Sequence, residues 1–148
     1  MRAIGLLSFL LAGAALAQAP SYQPVGSMSE LMIHIIYPAS DALFYIERDP
    51  PKTDAQWNVI RFQALTLAES GNLLMMPNRA RDQDRWIKES KEMIDVSAAA
   101  YHAALAKDMD GILALGERLS NSCIACHQDY RSNYPKRQPQ QQPPPQHN

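Results

Sequence analysis

From Ser27 to Tyr130 the apolar residues recur at intervals of three and four, and no stretch alternates with a period of two for long enough to make a strand. That periodicity limits the chain to helices, and the breaks between periodic runs set their number at four. The first helix begins at Ser27, where Ser27 and Glu30 have the spacing of a capping box. Its apolar stripe is Met28, Leu31, Met32, Ile35, Ile36, Ala39, Leu43 and Ile46, and Pro38, inside it, is expected to kink or interrupt it. A second capping box, Thr53 and Gln56, opens the next helix, which places Trp57, Ile60, Ala64, Leu67, Ala68, Leu74 and Met75 on one face. The third runs from about Asp82 to Lys107, with Trp86, Ile87, Met93, Ile94, Tyr101 and Leu105 inward. The fourth runs from about Gly111 to Tyr130. Four amphipathic runs with short breaks predict an all-α domain, an up-down-up-down four-helix bundle.

Both ends fall outside that domain. Residues 1–17 read as a signal peptide: a basic start at Arg2, an apolar run too short for a comfortable membrane span, and an Ala15-x-Ala17 cleavage pattern. No cysteine stands there to take a lipid. Residues 18–26 read as a linker, 27–133 as the folded domain and 134–148 as a disordered tail, whose five prolines and five glutamines leave almost nothing apolar to bury. His147, in that tail, reads as solvated. Export predicts an oxidising compartment, the periplasm of a bacterium. The chain carries 14 basic and 15 acidic residues, and removal of Arg2 with the leader takes the formal charge from −1 to −2. Such a balance argues against nucleic acid and anionic membrane as partners. The sequence has no Gly-rich phosphate loop, paired-histidine zinc motif or serine elbow, so no enzymatic chemistry is expected of the polypeptide.

The fourth helix ends on the chain's only two cysteines, in Cys123-Ile124-Ala125-Cys126-His127. C-x-x-C-H is the attachment sequence for a c-type haem. Positions three and four apart share a helix face, so Cys123 and Cys126 can form thioethers at one porphyrin edge while His127 turns under the iron as proximal axial ligand. A redox-active C-x-x-C would sit at a helix start in a βαβ pattern. A zinc site would need about four ligands, and there is no second Cys/His cluster. A disulfide across two intervening residues closes too short a loop to stabilise much, and gives His127 no role. One covalently bound haem c, with its iron, is the predicted cofactor.

A signal peptide, four helices and a C-terminal C-x-x-C-H make the chain resemble the class II c-type cytochromes, the cytochrome c prime family. The likeness is sharpest at Cys123-Ile-Ala-Cys-His-Gln-Asp-Tyr-Arg131, because family members often carry an aromatic and then an arginine after the motif, as Tyr130 and Arg131 do here. The resemblance implies that Arg131 lies near the proximal histidine, that a methionine early in the first helix is the sixth ligand in low-spin His/Met members, and that homodimers form through the helices.

The sixth ligand separates the functions open to such a protein, since methionine ligation suits electron transfer and an open position suits binding of small gases. In an up-down-up-down bundle the end of the fourth helix lies beside the start of the first and the break between the second and third. Met32 is therefore the predicted distal ligand, with Met28, one turn earlier on the same stripe, as the alternative, and Met75 and Met76 behind them. A methionine at helical spacing is otherwise a core filler. His34 falls off the stripe and His102 lies on the far half of the third helix, so both are expected at the surface. Arg79, with Arg81, is a candidate partner for the haem propionates. Trp86 is expected to pack near the haem, and Trp57 in the core. Glu47, Arg48, Glu69 and the run Lys88-Glu-Ser-Lys-Glu92 read as solvated faces.

These residues lead to the expectation of a periplasmic monohaem cytochrome that carries single electrons between redox proteins met in transient contacts. The alternative is a five-coordinate haem protein that binds nitric oxide or carbon monoxide. A helical scaffold whose Gln/Pro-rich tail recruits a partner is the third reading.

Overall fold

The structure, a computed structural model, describes residues 21–135. The expected leader (1–17), the start of the linker and tail residues 136–148 lie outside the described residues. Those described form an all-α bundle of four helical arms, with no strand among them. The first arm consists of α1 (Met28–Leu31), a π-helical turn (Met32–Ile36) and α2 (Tyr37–Phe44); the second is α3 (Asp54–Leu74) and the third α4 (Arg85–Leu105). The fourth is α5 (Met109–Ala114) followed by α6 (Gly116–Tyr130). No helix of the described residues is long and apolar enough to cross a membrane.

Both capping boxes form. Ser27 Oγ accepts from the Glu30 N–H at 3.2 Å and the Ser27 N–H donates back to Glu30 Oε2 at 2.8 Å. The Gln56 N–H donates to Thr53 Oγ1 at 3.2 Å and the Thr53 N–H to Gln56 Oε1 at 3.1 Å. The effect of Pro38 is felt upstream. Proline has no N–H and its ring crowds the carbonyl four residues back. The chain answers with the π-helical turn just before it, in which the Tyr37 N–H reaches the Met32 carbonyl. The wider turn shifts the helical register. Leu31, Ile36, Ala39 and Leu43 are buried as their spacing predicts, but Ile35, read as part of the stripe, is 39% exposed.

The third helix is shorter than the periodicity implied. Asp82 stays outside it and caps it instead, its Oδ1 accepting the Trp86 and Asp84 N–H groups, both at 3.0 Å. At the other end Lys107 adopts φ 55°. The Lys107 N–H reaches the Ala104 carbonyl (3.2 Å) and the Asp108 N–H the Ala103 carbonyl (2.9 Å), a Schellman termination with lysine where glycine is favoured. Asp108 then caps the fourth arm, its Oδ1 accepting the Gly111 N–H at 2.8 Å, so that arm starts before Gly111.

Successive arms run antiparallel. Trp86, at the start of α4, bonds Leu74, at the end of α3, while Lys107 reaches back to Asp54 at the start of α3. Arg85, at the start of α4, pairs with Asp129, at the end of α6. The closest packing is between α3 and α4. Small residues permit it: Ala64, Ala68, Ser70 and Gly71 on one side meet Ser90, Ser97, Ala100 and Ala104 on the other. A Cβ on Gly71 would strike the Ile94 side chain and lie 3.1 Å from the Ser90 carbonyl oxygen. The buried stripe of α4 is thus Trp86, Ser90, Met93, Val96, Ser97, Ala100 and Ala104, with Ile87 and Tyr101 partly buried against the core, a wider face than its larger residues suggested. Leu105, expected inward, is 46% exposed. Trp57 is half-buried beside a small cluster of Ile46, Ala104 and Ile112 at the opposite end of the bundle from Trp86.

Candidate functional site

The two cysteines and His127 occupy the C-terminal half of α6, whose inner side carries Leu119, Ser122 and Cys126 toward the core. Cys123, Cys126 and His127 line one cavity of about 40 Å³ together with Met32 and Ile36 of the first arm, Leu74 at the end of α3, and Glu89, Ser90 and Met93 of α4. All four arms therefore contribute to one small, mainly apolar space. Met32 reaches it from the π-helical turn, half-buried. Met28 touches the main core but is not among the residues lining the cavity. Met75 and Met76 remain in the loop after α3, half-buried, and His34 and His102 lie at the surface.

Burial shapes the chemistry of the reactive groups. The Cys123 and Cys126 sulfurs are free, and desolvation raises both thiols, Cys126 to about 12 with help from the Glu89 carboxylate. The arrangement therefore opposes thiolate formation, contrary to what a disulfide-exchange cysteine needs. Burial, and then the Arg131 guanidinium, hold the His127 pKa below its ordinary value. The ring is accordingly a neutral imidazole at pH 7, the form that ligates a metal. Glu89 is shifted the other way, raised first by burial and then by Asp129.

The shell around the cavity is anchored by Trp86. It is buried at 3% exposure, and its Nε1–H donates to the Leu74 carbonyl at 2.8 Å. Tyr130 stands edge-on to it with ring centroids 4.9 Å apart and donates its hydroxyl to Asp82 Oδ2. Arg131, exposed, donates its N–H to the His127 carbonyl at 3.0 Å, which places it beside the histidine. Arg79 Nη2 donates to the Gly26 carbonyl at 3.0 Å and Nη1 to Met76 Sδ at 3.5 Å, so it fastens the α3–α4 loop to the segment before α1.

Two features correct the sequence reading. Glu89 and Ser90 belong to the run read as a solvated face, yet both line the cavity, and Glu89 Oε2 and Ser90 Oγ are buried without a hydrogen-bond partner. The signal was available: Ser90 lies one turn after Trp86 and Met93 nearly two turns after it. Tyr134, assigned to the tail, is half-buried and sets its ring 5.3 Å from that of His127.

The donor set suits a covalently held haem. Two thiols one turn apart, an imidazole on the next residue and a thioether from another arm border the same space. Among the described residues no group of three or more His, Cys, Asp or Glu could hold a bare metal ion. The enclosed volume is smaller than a macrocycle. However, backbone contact between the first arm and α6 is sparse beside that of the other neighbouring arms. A separate, largely charged cleft of about 980 Å³ between α4 and α6 shares Glu89 and Ser122 with the cavity, but none of Met32, Cys123, Cys126 and His127 lines it.

A scan against family models, a search of curated proteins and a search of solved structures each return no match.

Proposed function

We propose that the chain is an exported, monohaem c-type cytochrome of the class II kind, held in a four-helix bundle and carrying single electrons between periplasmic redox proteins. The observation that carries this reading is the convergence of Met32, Cys123, Cys126 and His127 on one cavity. When bound, haem c supplies the one-electron chemistry, its iron alternating between ferrous and ferric. Cys123 and Cys126 would hold the group by two thioethers from one helix face. His127 would give the proximal nitrogen and Met32 the distal sulfur, which favours the reduced state. Leu74, Ile36 and Met93 exclude water, and Trp86 fixes the end of α3 against α4 so that the wall does not shift.

A second reading is a five-coordinate haem protein that binds nitric oxide or carbon monoxide. The Ser90 hydroxyl favours it, since it lines the cavity buried without a hydrogen-bond partner and would be free to bond a diatomic ligand.

Production of the chain with a cytochrome c maturation system tests the shared premise. The colour should survive acid–acetone extraction and denaturing electrophoresis. Haem that extracts freely from the intact wild type would overturn the c-type assignment.

A further inference from the structure

The chain does not leave the fold at the end of α6. Arg131 turns out of the helix with φ −106° and ψ 106°, yet its N–H still bonds the His127 carbonyl at 3.0 Å. The Tyr134 N–H then bonds the Arg131 carbonyl, also at 3.0 Å. Two backbone hydrogen bonds in series therefore lead from His127 to Tyr134 and bring the two rings to a centroid separation of 5.3 Å, inclined at 49°. Tyr134 is half-buried there, although its neighbours Ser132, Asn133 and Pro135 are exposed.

We propose that Tyr134 is a positioning residue for His127, its ring held against the imidazole by the turn after α6. The inference rests on His127 being the axial ligand. The cavity supports the imidazole on the bundle side. Without Tyr134 the ring would be more open to solvent at the helix end, where Arg131, Ser132 and Asn133 are all exposed. An aromatic neighbour limits rotation about the ring's own bond and shields the imidazole from water. The contact is ring to ring, so phenylalanine should preserve it and alanine should abolish it.

The test uses the full chain, with and without haem, as wild type, Tyr134→Phe and Tyr134→Ala. The modification of each histidine by diethyl pyrocarbonate is followed by peptide mass spectrometry on the haem-free chain, because an iron-bound imidazole has no free nitrogen to react, and the midpoint potential is read on the haem-loaded one. Tyr134→Ala should speed modification of His127 by about fivefold, within the range that one aromatic contact represents, and Tyr134→Phe should stay near wild type. Exposed His34 and His102 provide the internal reference, unchanged in all three proteins. The midpoint potential should fall in Tyr134→Ala and hold in Tyr134→Phe, because admitted water favours ferric iron. An unchanged His127 rate in Tyr134→Ala, or an equal rise in Tyr134→Phe, would overturn the proposal. If the chain takes no haem, the cytochrome reading fails, while the His127 rates of the same full-length variants still report whether Tyr134 covers the ring.

Discussion

Met32, in the π-helical turn of the first arm, and His127, near the end of α6, line the same cavity. Antiparallel arms bring them together: the start of the first and the end of the fourth fall at one end of the bundle. Cys123 and Cys126 border the same space. A cofactor tied there would be part of the core as well as the functional group.

Cofactor attachment should accordingly govern folding. Cys123→Ala combined with Cys126→Ala is expected to give a helical but loosely packed chain, because a group filling the interior stabilises only the folded state. Thermal unfolding followed by far-UV circular dichroism should be broad and early. Cooperative unfolding at the wild-type midpoint would contradict this.

The tight crossing of α3 on α4 depends on Gly71. Gly71→Ala drives a methyl into Ile94 and toward the Ser90 carbonyl, which is backbone and cannot swing aside. A loss of about 1–3 kcal/mol is expected, the usual cost of overpacking, although alanine has the better helix propensity. Urea unfolding measures it.

The left-handed Lys107 offers the opposite change. A side chain at φ 55° is strained where glycine is not. Lys107→Gly should stabilise by about 0.5–1 kcal/mol, since relief of strain outweighs the added freedom of the unfolded chain. The ion pair to Asp54 that it removes is solvent-exposed on both sides and offsets little of this.

Asp82 gives a pH signature. The Tyr130 hydroxyl and then the Trp86 N–H hold its carboxyl below the usual carboxylate range. A depressed folded pKa means that the contribution is complete above the unfolded value, near 3.8, and is lost as pH falls through the folded one. Asp82→Asn should lower the melting temperature at pH 7, and the gap from wild type should close on acidification below that range. A pH-independent gap would point to packing alone.

What the sequence disclosed was whatever local chemistry determines. The capping boxes at Ser27 and Thr53 are written in adjacent residues, and both form. The cysteine-histidine motif places its side chains by helical spacing alone. The phase of α4 was not legible in the same way. Size picked out Trp86 and Met93, which are buried, and Ile87 and Tyr101, which pack partly buried on the core, but also Leu105, which is exposed, and it missed Ser90, Ser97, Ala100 and Ala104, buried where α4 closes on α3. Hydrophobic periodicity registers large residues and overlooks the small ones that let two helices meet. Pro38 announced an irregularity, but not that it would resolve as a wider turn upstream, which turns Ile35 outward. Tyr134 was hidden because its composition belongs with the tail while its backbone bonds belong with α6.

The central claim is His127/Met32 ligation of a covalently held haem, and the optical spectrum of the ferrous protein tests it most directly when wild type is compared with Met32→Ala. The wild type should show sharp low-spin bands and bind carbon monoxide slowly. Met32→Ala should turn high-spin, bind carbon monoxide readily and show a lower reduction potential, because thioether ligation favours ferrous iron. Met28→Ala, whose residue does not line the cavity, should leave the spectrum as it is. A wild type that is already high-spin, with a spectrum unaltered by Met32→Ala, would contradict the electron-carrier reading and leave the gas-binding one.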